Sequence, residues 1–176
     1  MRKMNYKSKI HLKPLTKSDM RLLIKWRNSE EIFPYNTQYF LLNYKIQEEW
    51  FNNLRNDVSR KMFIVLFGKK KIGVCGLIHI DKKNKNADIA IIIGDTKFHS
   101  KGLGTIILSK LLEYGFKKFQ LHRIGAEVFE FNEKSNNLFK KLNFKTEAVF
   151  RDAIWRKNQW WNIISLYILK DDFYKK

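Results

Sequence analysis

Gly102 and Gly104 stand one residue apart in FHSKGLGTIILSKLLEYGF (98–116), behind the apolar run ADIAIIIG and before a periodic helical stretch. A glycine inside a helix is about 1 kcal/mol less favourable than alanine, so the pair needs a purpose at this boundary. A helix N-terminus offers free N–H groups and a partial positive charge, which together attract an anion. Glycines there let a phosphate approach the backbone, and His99, Ser100 and Lys101 add donors. A turn that simply needs glycine conformations accounts for the same residues. Two other phosphate loops are excluded. No Gly-Lys-Ser/Thr follows as a Walker loop requires, and the dinucleotide fingerprint would need a third glycine where Ile107 stands.

Other chemistries are poorly served. His11, His79, His99 and His122 are scattered, and with one cysteine they form no metal-ligand spacing, so no metal is expected. Cys75 excludes an internal disulfide framework, suits a reducing compartment and reads as strand packing. The N-terminal MRKMNYKSK has charge without an apolar stretch behind it and does not read as a secretion signal. No run approaches the ~18 apolar residues of a membrane span, so a cytoplasmic protein without a membrane partner is expected. The net charge of +18, from 35 Lys+Arg against 17 Asp+Glu, favours an anionic partner, although many of the lysines lie in turns and on helix backs. A basic nucleic-acid module would show a zinc finger, a base-stacking motif or a basic stripe on one helix, and none is found.

The elements that must position these residues fit one domain over 1–176. A chain of this length buries roughly 70% of its unfolded surface, and 14 Phe and 5 Trp supply the core. KIHLKPL opens as a strand, and Thr16 with Asp19 caps a helix through Trp26. EIFPYNTQYFLLN reads as a loop and KIQEEWFNNLRN as a second helix. RKMFIVLF and KIGVCGLIHID form a hairpin about GKKK. ADIAIIIGD (Ala87–Asp95), apolar on both faces, reads as a central, fully covered strand. A helix to about Phe119 follows, then a strand at HRIGAEVFEFN, a short helix at EKSNNLFKKL and a terminal hairpin. The order β-α-α-β-β-β-α-β-α-β-β predicts an α/β protein whose mixed sheet has helices on both faces.

HSKGLG resembles the pyrophosphate loop, Gln/Arg-x-x-Gly-x-Gly/Ala, of the GCN5-related N-acetyltransferases, with His99 in the first place. LIKWRNSEEI resembles the first-helix segment of the RimJ/RimL-like branch and its nucleotide-sugar relatives. LHRIGAEVFEFNEKSNNLFKKLNFKTEAVFRD is similar to that branch's strand, Asn-x-x-Ser helix and closing passage, with Asn143 and Ala148 replacing usual glycines. QWWNIISLYIL matches the closing strand.

The resemblance implies a central sheet splayed between two parallel strands, with acetyl-CoA in the wedge. Main chain of Ile91 and Ile93 would hold the pantetheine arm; His99, Ser100, Lys101, Gly102, Leu103 and Gly104, with the N–H of Thr105, would hold the pyrophosphate. Asn132 would bond the arm from the other lip, though it also reads as a helix N-cap. An amine would then attack the thioester directly, which needs a neutral amine, a donor for the oxyanion and a proton for the thiolate. The N–H of Ile92 or Ile93 would serve the oxyanion. Many members supply the thiolate proton from a tyrosine where Phe139 stands here; Ser135 matches the serine proposed for the RimL-like branch. Ile154 occupies the place of that branch's glutamate base, leaving Asp88 first and Glu127 second. Trp26, Arg27, Asn28, Tyr35 and Trp155, with Tyr39, Trp50, Trp160 and Trp161 nearby, would roof the acceptor. The branch suggests a protein N-terminus, with a nucleotide-linked amino sugar as alternative; the positive surface disfavours polyamines. A homodimer is left open.

Overall fold

The chain is seen as a computed structural model that describes residues 6–175. Residues 1–5 of the basic N-terminal stretch lie outside them. A helical turn, α1 (Tyr6–Lys9), leads into β1 (Ile10–Pro14), α2 (Met20–Arg27) and α3 (Tyr44–Asn56). The hairpin β2 (Lys61–Phe67) and β3 (Lys70–Asp81) turns at Gly68 and Lys69, with Gly68 at φ 60°. Then come β4 (Asn86–Ile93), α4 (Leu103–Lys118), β5 (Arg123–Phe129), α5 (Glu133–Lys141), β6 (Lys145–Arg156), β7 (Gln159–Leu169) and a closing turn, α6 (Lys170–Tyr174).

The strands form one sheet in the order β1-β2-β3-β4-β5-β7-β6. β4 and β5 run parallel and every other neighbouring pair is antiparallel. The expected mixed α/β sheet is therefore present. One face packs on α4, whose Ile107, Leu108, Leu111, Leu112 and Phe116 are fully buried as their helical spacing predicts. The other face packs on α2 through Met20, Leu23 and Trp26 against Ile64, Leu66 and Val74. Asp19 starts α2: its carboxylate accepts from the Thr16 N–H and hydroxyl, both at 2.8 Å, and a short 3-10 turn over Lys17–Asp19 separates that cap from the helix. Cys75 is fully buried in β3, and burial pushes its thiol well above the ordinary range.

One strand departs from expectation. β4 pairs with β5 only from Asn86↔Arg123 to Asp88↔Gly125. Beyond that rung the strands part, so Ile91, Ile92 and Ile93 are half-buried rather than fully covered. The apolar sequence reflects a lost neighbour, not a filled layer.

Candidate active site

The parting of β4 from β5 creates the wedge in which the functional groups gather. Gly94 N–H donates to the Ile72 carbonyl of β3. Alternation along an extended strand then turns the polar groups of Ile93 and Ile91 the other way, toward the edge that β5 has left. An extended ligand arm can hydrogen-bond there as a missing strand would.

At the end of β4 the loop bends into α4. The carbonyl of Ile93 accepts from His99 Nε2 at 2.7 Å, which assigns the ring proton to Nε2. His99 therefore ties the loop to the strand, and its Nε2 donor is not free for a phosphate. Gly102 is the α4 N-cap at φ 73°, a left-handed conformation that glycine adopts without strain. Gly104 has a second reason to lack a side chain: an added Cβ would stand 3.0 Å from Leu138 of α5. Ser100 (φ 56°) and Lys101 are exposed, Thr105 is half-buried and Leu103 is buried. The loop thus presents α4's first amides with Lys101 beside them, a fit for a diphosphate.

The face opposite α4 carries the two candidate carboxylates, whereas α5 with Ser135 packs on the α4 side, Leu138 lying against Gly104. Asp88 sits on the last paired rung and accepts from His79 Nδ1 at 2.9 Å. Glu127 lies two residues beyond Gly125, on the same face of the other lip, and it is exposed. It makes no hydrogen bond or ion pair among the described residues. Asn132 caps α5, its Oδ1 accepting from the Ser135 N–H at 3.2 Å, so the N-cap assignment holds and that oxygen is already engaged. The half-buried Ser135 hydroxyl has no partner among the described residues. Phe139 is core, 4% exposed and edge-on to Phe144.

The segment between α2 and α3 roofs this face. Asn28 clasps it, donating to the Leu42 carbonyl at 2.8 Å and accepting from the Leu42 N–H at 2.9 Å. Asn36 adds a bond of 2.6 Å to the Arg27 carbonyl. Trp26 is 6% exposed and packs over Gly94, so its ring belongs to the core rather than to an acceptor pocket. Arg27 donates to Gln38 at 2.6 Å, and burial lowers its pKa from the ordinary value. Tyr35 meets Phe131 at 5.7 Å, and Phe131 meets Trp161 at 5.0 Å. Trp155 is half exposed, edge-on to Trp160 and away from this cluster.

Four participants were not singled out from sequence: His79, Phe129, Phe131 and Arg156. Strand alternation offered a signal for one of them, because Trp155 and Arg156 must face opposite ways. Trp155 faces solvent, while Arg156 is 9% exposed with its guanidinium 3.9 Å from the Tyr39 ring centroid. His79 occupies an irregular rung of β3 at φ 51°, which periodicity does not reveal.

Among the described residues no group of three or more His, Cys, Asp or Glu is placed to hold a metal, and no helix is long and apolar enough to cross a membrane.

Known proteins share this fold. The spermidine N(1)-acetyltransferase of Vibrio cholerae is 25% identical over 167 residues, covering 94% of this chain and 96% of that protein. Acetyltransferase PseH of Campylobacter jejuni is 26% identical over 131 residues, covering 74% and 79%. The crystal structure of the Vibrio cholerae spermidine N-acetyltransferase with CoA and spermine superposes with a TM-score of 0.88 at 24% identity, covering 94% of this chain and 98% of that one. The likeness is to the superfamily and not specifically to its RimJ/RimL-like branch. A family model described as an acetyltransferase (GNAT) domain matches residues 9–145, and with the splayed β4–β5 pair and the glycine loop at α4 it makes this chain a GNAT-family, acetyl-CoA-dependent N-acetyltransferase.

Proposed function

We propose that the chain acetylates the primary amine of a small molecule by direct attack within a ternary complex. The observation that carries this reading is the wedge beyond the Asp88–Gly125 rung, open to backbone on one lip and to a free carboxylate, Glu127, on the other. Acetyl-CoA supplies the activated acyl group. Amides of 102–105 hold its diphosphate, and main chain of Ile91 and Ile93 orients its arm. The N–H of Ile93, turned to the open edge, polarises the carbonyl, while that of Ile92 faces β3. Glu127 receives the amine proton, directly or through water, because Asp88 is already engaged with His79. The Ser135 hydroxyl relays a proton from water to the thiolate, a task that Phe139, without a hydroxyl, cannot perform.

A small amine replaces the protein N-terminus expected from sequence. Relatives named for spermidine support it, and carboxylates at the wedge suit an ammonium group. The +18 charge, expected to disfavour polyamines, is screened over about 10 Å at about 0.1 M salt, whereas Glu127 acts locally. A nucleotide-linked amino sugar is the second reading, favoured by guanidinium groups at the same mouth. CoA release measured with spermidine, amino sugars, nucleotide-linked amino sugars and N-terminal peptides tests the reading. Turnover with a small amine is expected; turnover with peptides alone overturns it.

A further inference from the structure

Arg27 and Arg156 hold cationic groups in protein without a carboxylate. Neither forms an ion pair among the described residues. Arg156 is nine-tenths buried; it donates to the Trp155 carbonyl at 2.8 Å and the Thr37 carbonyl at 3.3 Å. Among the described residues the Arg27 side chain donates only to Gln38. The buried Nε of each finds no acceptor. A buried charge without a counter-charge is unfavourable, and an unmet donor adds to that.

The two arginines sit on elements that reach the ends of the two parted strands. Arg27 follows Trp26, whose ring covers Gly94 at the end of β4. Arg156 faces Phe129 at the end of β5, 5.9 Å from its ring centroid. Consecutive residues of one loop join them: Gln38 to Arg27, Thr37 and Tyr39 to Arg156. Glu127 lies two residues before Phe129 on the same face. An amine near Glu127 would thus have Phe129, and the Arg156 guanidinium beside it, along the same face.

We infer that Arg27 and Arg156 form an oxyanion subsite of the acceptor pocket, so that the acceptor carries a phosphate or carboxylate group in addition to its amine. This inference rests on the acetyltransferase reading and selects within it: a nucleotide-linked or phosphorylated amine completes the site and a pure polycation does not. Guanidinium forks match such oxyanions geometrically, and Tyr39 supplies a ring beside the charge.

The test uses enzyme saturated with CoA, so that the loop at Gly102 is already filled. Calorimetric titration with inorganic pyrophosphate, and separately with succinate, probes the subsite and distinguishes phosphate from carboxylate. Wild type is expected to bind one of them. Arg156→Met and Arg27→Met should each weaken that binding by about tenfold or more, the worth of a charged hydrogen bond. Lys118→Ala, the same charge change at the far end of α4, should leave it unaltered. CoA affinity and melting temperature report on folding, and if Arg156→Met fails to fold, Arg27→Met carries the test. CoA binding without uptake of either anion, or uptake indifferent to both substitutions, overturns the subsite alone. Failure to bind CoA overturns the acetyltransferase reading beneath it.

Discussion

Glu127 and Asp88 are both carboxylates on one face of the wedge, yet only Glu127 is free of a protein partner among the described residues. A base that must first break a hydrogen bond to imidazole gives up part of its driving force. Glu127→Gln is therefore expected to lower kcat by about 10²-fold, in the range of one general base, and Asp88→Asn by clearly less. Steady-state rates at saturating acetyl-CoA check the order; the reverse order restores Asp88 as the base. Ser135 offers a cleaner substitution. The α5 cap runs through its backbone N–H and not its hydroxyl. Ser135→Ala should leave the melting temperature and CoA affinity in place while kcat falls, and unchanged turnover would remove Ser135 from the reaction.

The elements hold these residues through contacts that differ in how local they are. At the start of α2, Asp19 is 1% exposed and binds both Thr16 and Lys71, the latter at 2.5 Å. Burial alone would raise its carboxyl pKa, but hydrogen bonds from Lys71 and Thr16 outweigh it and leave the pKa below the ordinary value. A depressed pKa means the ionised form supports the fold. That support is complete above the ordinary carboxylate range and fades as pH falls through the lowered value. Asp19→Asn should cost about 1–2 kcal/mol at neutral pH, as cap losses do, and should flatten the acid side of the stability curve measured by urea unfolding. Such a cap was legible in sequence because Thr16 and Asp19 are three residues apart. Gly102 was legible for the same reason, its constraint being its own φ. The half-burial of Ile91 to Ile93 was not, because it depends on where β5, some thirty positions on, parts from β4 while staying paired with β7. Arg156 was hidden similarly, its partners Thr37 and Tyr39 lying on a distant loop.

Across the whole molecule the excess of cations needs a use, since among the described residues most lysines form no ion pair and none is buried. Beside the cofactor loop, Lys101 and Lys70 lie 5.6 Å and 5.1 Å from the Phe98 ring centroid, though Lys70 also pairs with Asp95 at 2.7 Å. A single exposed lysine contributes little to a bound diphosphate in water. The summed field of +18 acts over longer range, drawing a polyanion such as CoA toward the molecule before any contact forms. Ionic strength separates the two contributions, because screening weakens the long-range field while bonds from buried amides persist. Raising salt from low to about 0.5 M should slow CoA association by about tenfold or more, with a much smaller change in dissociation. Stopped-flow binding reads both rates. If salt instead accelerates dissociation and spares association, exposed ion pairs at the loop hold the cofactor, and the surplus charge has no part in its capture.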